Sequence, residues 1–399
     1  MRSSRSSPDK RTETGEGRTM LAVQFLRAYN FFYFSLLAVF ISFLPVYLTF
    51  RGVSPAQIGV LIGMGSFVGI LSQPLWGMVS DRYKTIKKIV LLTLGISVAV
   101  GFALFQSVHP AALFLLVGAM YLFMLPTDPL TESLNYRVAE QHGLSFGAIR
   151  TFGAIGYASA SLIVGFAVDR LGMERLSWVY GVYGLLAFAF CLAVPDAPAS
   201  GKRLSFADLR RFFAYPATLR FFLLVLVAAI PHRTNDSFLG VFVQSLGGTS
   251  GMVGQAWFVA AISEVAFFAL SAWLLRTGSE IKWITLAAGL YAVRYALCAV
   301  AADPIWVVYL QVMQGITFAV FYTATIQYLY RIIPEEWKAT GQTVLAVLFF
   351  GVSGIVGSIA GGWLFQHLGG SALYLGMAGV SLAGCLYSLT LWPRGTAST

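Results

Sequence analysis

The run LAVQFLRAYNFFYFSLLAVFISFLPVYLT, residues 21–49, holds a single charge, Arg27, in a stretch long enough to cross a bilayer as a helix. It is too long for the apolar region of a signal peptide, so it reads as a retained span behind a disordered polar tail, residues 1–20. Further apolar runs follow at 55–79, 88–108, 110–135, 146–168, 175–194, 218–246, 252–275, 281–301, 303–331, 338–366 and 371–392. Composition agrees: of 399 residues 57% are hydrophobic and 11% charged, with mean hydropathy +0.74. A soluble domain averages about 45–50% apolar and about 25% charged, so too little polar surface exists here to coat the chain in water. Barrel strands would read as ~10-residue alternating segments, and none occurs. The expected fold class is an all-α membrane protein of twelve transmembrane helices.

Twelve spans put both termini on one side. Of the 27 Lys and Arg, 20 fall on that side, Arg51, Arg170 and Arg175 fall on the other, and Arg27, Arg150, Arg233 and Arg294 lie within helices. The positive-inside bias makes the termini cytoplasmic and the location the cytoplasmic (inner or plasma) membrane. The net charge of +10 is therefore topology, not a nucleic-acid footprint. Cys191, Cys298 and Cys385 stand singly in spans, and His109, His142 and His367 lie near loop ends, so no metal site, disulfide framework or cofactor is expected.

The chain repeats itself at an offset of roughly 195 residues, a spacing that marks a duplicated architecture. Ser54-Pro-Ala-Gln-Ile-Gly59 opens span two, and Gly251-Met-Val-Gly-Gln255 opens span eight, so Gly59 matches Gly254. Gly165-Phe-Ala-Val-Asp-Arg-Leu-Gly172 ends span five, and Gly362-Trp-Leu-Phe-Gln-His-Leu-Gly369 ends span eleven. Parallel duplication of six spans is a recognised transporter plan. It divides the chain into a tail (1–20), a six-helix bundle (21–194), a cytoplasmic linker with Pro195, Pro198, Lys202, Arg203, Arg210 and Arg211 (195–217), a second bundle (218–392) and a tail (393–399). Small residues four apart at 59/63, 65/69 and 357/361 let backbones approach closely in lipid. Spans two and eleven are expected to meet through these faces and slide at the interface of the halves.

Charges at bilayer depth persist where they are paired or functional. They are Asp128 and Glu132 in span four, Arg150 in span five, His232, Arg233 and Asp236 in span seven, Glu264 in span eight and Arg294 in span nine. Asp128 and Glu132 share a helix face, in a turn that Pro126 and Pro129 distort. Arg150 follows 18 residues after Glu132 across a short loop and can face it. A carboxylate opposite a guanidinium can bind a polar solute through bidentate hydrogen bonds, or carry a proton whose release depends on its neighbour; the plain alternative is a pair that only staples two helices. Arg27, near the start of span one, can snorkel to the interface. After span two, Gly77, Asp81 and Arg82 stand beside Lys84, Lys87 and Lys88. This is expected to be a gating loop, because Asp81 beside basic groups can pair across the cytoplasmic closure.

Gly77-x-x-x-Asp81-Arg82 followed by basic residues resembles the signature loop of the major facilitator superfamily, with Lys84 in place of the usual glycine. Phe31-Phe-Tyr-Phe34, Phe43-Leu-Pro-Val-Tyr-Leu48 and Ser72-Gln-Pro-Leu-Trp-Gly77 look like spans one and two of the lactose permeases. Glu132, Arg150 and Tyr157 are similar in place to their sugar-binding Glu, Arg and Trp, and Glu264 and Arg294 to their Glu of span eight and Arg of span nine. Their proton-coupling His and Glu fall on Gln314 and Thr317, so that coupling path does not carry over. A closer likeness is to the phenylpropionate permease branch. It rests on Thr127-Asp128-Pro-Leu with Glu132, Gly147-Ala-Ile-Arg150, Pro231-His232, Gly254-x-x-Trp257, Ser263-Glu264-Val265 and Gln311-x-x-Gln314-Gly-Ile-Thr317-Phe318.

The resemblance implies two pseudo-symmetric six-helix bundles around a cavity that opens alternately to each side. The expected function is secondary transport of a small organic solute, with the proton as coupling ion in symport; the alternative is a proton-driven drug or metabolite efflux antiporter. Glu132, Arg150, Tyr157, Asp128, Trp257, Gln311 and Gln314 are the expected substrate contacts. His232, Arg233, Asp236, Glu264 and Arg294 form the expected charge network, with Asp236 or Glu264 titrating. The expected partners are a small-molecule substrate, the proton and membrane lipid, with no nucleic acid, for a monomer that is not an enzyme. No nucleophile–base pair, metal cluster or phosphate loop stands in the spans, and no soluble domain of signalling size exists.

Overall fold

A computed structural model describes residues 10–198, 216–275 and 279–392. Six helices form the first bundle: α1 (Lys10–Phe50), α2 (Pro55–Tyr83), α3 (Lys87–Leu104), α4 (Pro110–Gln141), α5 (Phe146–Leu171) and α6 (Leu176–Ala193). The second holds α7 (Pro216–Ser245), α8 (Ser250–Leu274) and α9 (Glu280–Ala299), with α10 over Pro304–Ile332, α11 over Thr340–Leu368 and α12 (Gly370–Leu389). Eleven described segments are long and apolar enough to cross a membrane; α9, which carries Glu280, Lys282 and Arg294, completes the set. Residues 1–9 of the expected tail, 199–215 of the expected linker and the expected tail 393–399 lie outside the described residues. Helix α1 starts at Lys10, so part of the segment read as a disordered tail continues the first helix, which needs no new nucleus.

Two boundaries differ from the hydropathy reading in a way that touches function. Helix α4 runs on to Gln141, with Pro126 and Pro129 inside it. Helix α2 runs on to Tyr83, so Asp81 and Arg82 stand on its last turn and Gly77 further inside, not on a loop. Hydropathy ends a span where charge begins, whereas backbone hydrogen bonding continues into the polar layer. The helix stops at Lys84, the sole non-glycine residue with positive φ among the described ones, at φ 52°. A left-handed C-terminal residue is normally glycine because a Cβ there costs about 1–2 kcal/mol. Lys84→Gly removes that strain and adds backbone entropy to the unfolded chain, for a net gain of about 0.5–1 kcal/mol. A raised melting temperature in detergent is expected; an unchanged or lowered one counts against the strain.

The halves meet along three seams, all weighted to the end opposite the termini, here termed the far end. At α2/α11, a Cβ on Gly59 would strike the Ser358 carbonyl and one on Gly63 the Ile359 side chain. At α5/α8, Gly254 lies against the Ser161 carbonyl, and a Cβ built on it would lie 3.1 Å from the Gly165 Cα. At α1/α7, Gly240 packs against Val46. At the termini end, by contrast, Gly77 and Gly147 have nothing within 4 Å of a built Cβ. The two halves thus meet backbone to backbone at the far end. The expectation that 59/63, 65/69 and 357/361 all face the other half is corrected. Gly65 and Gly69 pack on Tyr121 and Leu125 of α4, and Gly357 and Gly361 on Thr234 and Phe238 of α7. Six residues on from Gly59 the helix presents a different face.

Helices α10 and α11 are each widened locally by a π-helical turn, at Gly315–Ala319 and Val347–Val352. Such turns free backbone groups that another group must satisfy, and they gather at functional sites. In α10 the Gly315 N–H donates to Ser263 Oγ of α8 at 2.9 Å.

Candidate functional site: polar clusters in the two halves

In the first half, Arg150 of α5 donates from Nε to Glu132 Oε1 of α4 at 2.6 Å. Its guanidinium carbon lies 3.9 Å from the ring centroid of Phe34 on α1. The pair remains 37% and 29% exposed at mid-helix, so the guanidinium is stacked on one face and open on the other. Glu132 Oε2 and Asp128 Oδ1 are buried with no hydrogen-bond partner among the described residues. A buried unsatisfied oxygen costs about 1–3 kcal/mol, so both would gain from a donor once the side chains covering them shift.

A polar ladder that sequence reasoning missed sets the position of Glu132. Tyr29 Oη and Thr131 Oγ1 share a hydrogen bond of 2.6 Å, and Asn30 and Asn135 exchange two side-chain bonds of 2.7 Å each. These four side chains are buried and join α1 to α4 on both sides of Glu132. Asn135, one helical turn beyond a membrane carboxylate, is the one signal that pointed there. Asn30→Leu strands the Asn135 amide and is expected to cost about 1–2 kcal/mol. The double variant with Asn135→Leu should recover part of that loss in a detergent melt; an unchanged single variant would contradict the ladder.

Two turns further along α5, toward the far end, Tyr157 shares a 3.2 Å hydrogen bond with Ser42 Oγ of α1. Its ring meets Trp257 of α8 edge-on, centroids 6.4 Å apart. Trp257 is buried and its Nε1–H has no partner among the described residues.

The second half holds two separate clusters where the sequence led us to expect one network. On α7, Arg233 Nη1 donates to Asp236 Oδ2 at 2.6 Å, with His232 Nε2 3.6 Å from the same oxygen. The His232 ring stacks on Phe318, in the π-turn of α10, at 4.5 Å, and its Nδ1 lies 3.2 Å from Tyr291 Oη. Pro231 and the spacing of residues 232, 233 and 236 place these groups on adjoining faces of one helix. Across α8, α9 and α10 runs the second cluster. Arg294 is fully buried; it donates to the side-chain carbonyls of Gln314 and Gln311 and, at 3.3 Å, to Thr317 Oγ1. Gln314 Nε2 donates in turn to Glu264 Oε1 at 2.9 Å. Arg294 and Glu264 are therefore joined through an amide and make no ion pair with each other. Glu264 is nonetheless close enough to interact electrostatically with Asp236, Arg294 and, across the halves, Arg150.

The expected substrate contacts thus divide. Glu132 and Arg150 pair within the first half, with Asp128 one turn before Glu132, and Tyr157 meets Trp257 across the halves. Gln311 and Gln314 are buried, and their amides are occupied by Arg294, Glu264 and the Val307 carbonyl, so in this conformation they hold the arginine and not a solute. Gly77, Asp81 and Arg82 stand toward the termini end of α2, apart from the three clusters.

The family model described as "MFS_1 like family" matches residues 24–375. The chain is 30% identical over 384 residues to the maltose permease of Geobacillus stearothermophilus, covering 91% of this chain and 93% of that one. It is 26% identical over 356 residues to the probable 3-phenylpropionic acid transporter of Escherichia coli (strain K12), covering 88% and 93%. Among solved structures, the nucleoside transporter NupG superposes with a TM-score of 0.84 at 18% identity, over 93% of this chain and 99% of that one. The last likeness speaks for the fold alone.

Proposed function

The chain belongs to the MFS_1 like family, integral-membrane transporters of small solutes, and from that premise we propose that it carries out proton-coupled symport by alternating access. The termini end faces the cytoplasm, as the distribution of basic residues argues, so the conformation described is inward-facing. The protein works as a monomer in the cytoplasmic membrane. The observation that carries the reading is the part-exposed Glu132–Arg150 ion pair at mid-helix, a position where a charge pair persists when it is paired or functional. The Glu132–Arg150 pair keeps an unpartnered acceptor and a part-exposed guanidinium, and Trp257 of the second half, against Tyr157, keeps an unpartnered donor.

A solute that satisfies both sides carries hydrogen-bond donors for Glu132 and Asp128, an acceptor for Trp257, and a flat or polar face to lie on Arg150. Sugars and nucleosides meet these demands, whereas an aromatic carboxylate without hydroxyl groups offers no donor to Glu132 or Asp128 and would be held by the Arg150 guanidinium instead. The relative named for maltose supports the first choice and the one named for 3-phenylpropionic acid the second.

Proton coupling is assigned to Glu264. Asp236 is held directly by the Arg233 guanidinium, whereas Glu264 receives only a neutral amide donor. An amide can serve either form of a carboxyl group: it donates to the carboxylate, or turns over and accepts from the acid. Turning Gln314 over to accept from protonated Glu264 removes the carbonyl that Arg294 uses, so gain of a proton at Glu264 loosens a fully buried arginine. Asp81, on the last turn of α2, would pair across the termini end when that end closes.

The binding part is tested by thermal shift of the purified protein with a panel of sugars, nucleosides and aromatic acids. One class is expected to raise the melting temperature of the wild type and not of Glu132→Gln. A compound that protects both proteins equally would remove Glu132 from the site.

A further inference from the structure

We infer that Asp169 and Gln366 are a pair of closure residues, each capping the first turn of a helix in the opposite half, and that Asp169 is the stronger of the two. The inference rests on the alternating-access part of the reading above and not on the identity of the solute or ion.

An α-helix leaves its first N–H groups without partners. In α2, Pro55 occupies the first position and has no N–H, and Ser54 Oγ accepts from Gln57 N at 3.4 Å. The Ala56 N–H between them remains, and it donates to Gln366 Oε1 of α11 at 3.1 Å. Helix α8 repeats the arrangement. Thr249 Oγ1 accepts from Met252 N at 3.3 Å, and the second donor, Gly251 N–H, goes to Asp169 Oδ2 of α5 at 2.8 Å. Each helix thus caps its own third position and takes the cap for its second from the other half.

The two latches are related by the internal repeat. Asp169 and Gln366 hold the same place in Gly165-Phe-Ala-Val-Asp-Arg-Leu-Gly172 and Gly362-Trp-Leu-Phe-Gln-His-Leu-Gly369. The glycine four residues before each lets the helices come close enough to reach. Gly165 packs on the first turn of α8, where a built Cβ would lie 3.0 Å from the Gly254 Cα, and Gly362 packs likewise on α2, 3.0 Å from the Gly59 Cα. Opening the far end draws both caps away and returns the two N–H groups to water.

The repeats differ in charge. Asp169 offers an anion to a helix N-terminus, which the macrodipole and the charge-assisted bond both favour; Gln366 offers a neutral carbonyl. The α5/α8 seam is therefore the firmer one, and the α2/α11 seam yields first when the far end opens.

The test reads the far-end distance directly. Val108 and Val300, exposed on far-end loops of the two halves, are replaced by cysteine in a chain with Cys191, Cys298 and Cys385 changed to serine. Spin labels there report the ratio of open to closed far ends by pulsed electron resonance, with no solute and no gradient. Asp169→Ala is expected to raise that ratio about fivefold and Asp169→Asn, which keeps an acceptor, about threefold. Gln366→Ala should raise it about twofold and Gln366→Glu lower it about threefold. An unchanged ratio in both Asp169 variants would overturn the proposal, as would an effect of Gln366→Ala equal to that of Asp169→Ala. Should Asp169→Ala fail to fold, Asp169→Asn decides alone. Because neither solute nor a proton gradient is present, the outcome is independent of whether symport is correct.

Discussion

Arg150→Gln is expected to weaken solute binding about 30–100-fold. Removing one partner of a buried, hydrogen-bonded ion pair costs about 3–5 kcal/mol; the exposure of this pair, 37% and 29%, puts the effect at or below the lower end of that range. Glu132 then loses its cation and the solute loses the open guanidinium face above Phe34. Arg150→Lys separates the two contributions. It keeps the charge but gives up the planar fork and the stacked geometry, and a loss of about tenfold is expected from that alone. The measurement is equilibrium binding of the compound that shifts the melting temperature of the wild type. Binding by Arg150→Gln within twofold of wild type would remove the pair from the site.

Gly254→Val is expected to abolish transport while leaving the fold intact. A Cβ at Gly254 meets the Ser161 carbonyl and lies 3.1 Å from the Gly165 Cα, both backbone atoms that no rotamer change can move aside. The α5/α8 seam must therefore part, and the far end cannot shut. We expect transport to fall at least about 100-fold, since a closed far end is held by interfaces worth several kcal/mol and overpacking by methyl groups costs about 1–3 kcal/mol or more. Helical content should be unchanged, and far-end spin-label distances should lengthen. Normal transport by Gly254→Val would mean that the seam is not a moving part.

Much of the architecture was legible because lipid leaves few choices. Apolar runs must be helices with their backbone bonds satisfied internally, so span positions and number followed from hydropathy and loop charge. The repeat was also legible: Gly59 with Gly254, and Gly165 with Gly362, are visible as matched letters. The meeting of spans two and eleven was also expected from their small-residue faces, but the α5/α8 seam was not, because a repeat says which residues correspond and not which ones touch. Gly165 and Gly254 come from opposite halves, and only the packed chain brings them together.

The charged residues divide in the same way. Glu132 and Arg150 could be paired from sequence because a short loop joins two antiparallel helices. Gln311 and Gln314 were expected to touch the solute; in this conformation they hold the buried Arg294 instead, a partner that a glutamine on an inward helix face does not announce in sequence. The π-turns at Gly315–Ala319 and Val347–Val352 leave no periodicity signal of their own. Lys84 illustrates a different gap. Its departure from glycine was plain, but that the chain keeps the left-handed turn at φ 52° is a property of the folded helix end.

Glu264, as the group that joins proton to solute, is where the mechanism is most exposed to test. Proteoliposomes holding a pH-sensitive dye, with no imposed gradient, are given the solute identified by thermal shift. Wild-type vesicles are expected to acidify inside as solute enters. Glu264→Gln vesicles are expected to exchange labelled solute by counterflow at a comparable rate while their lumen pH stays constant. Acidification that persists in Glu264→Gln, or solute uptake by the wild type without any acidification, would contradict proton coupling through this residue.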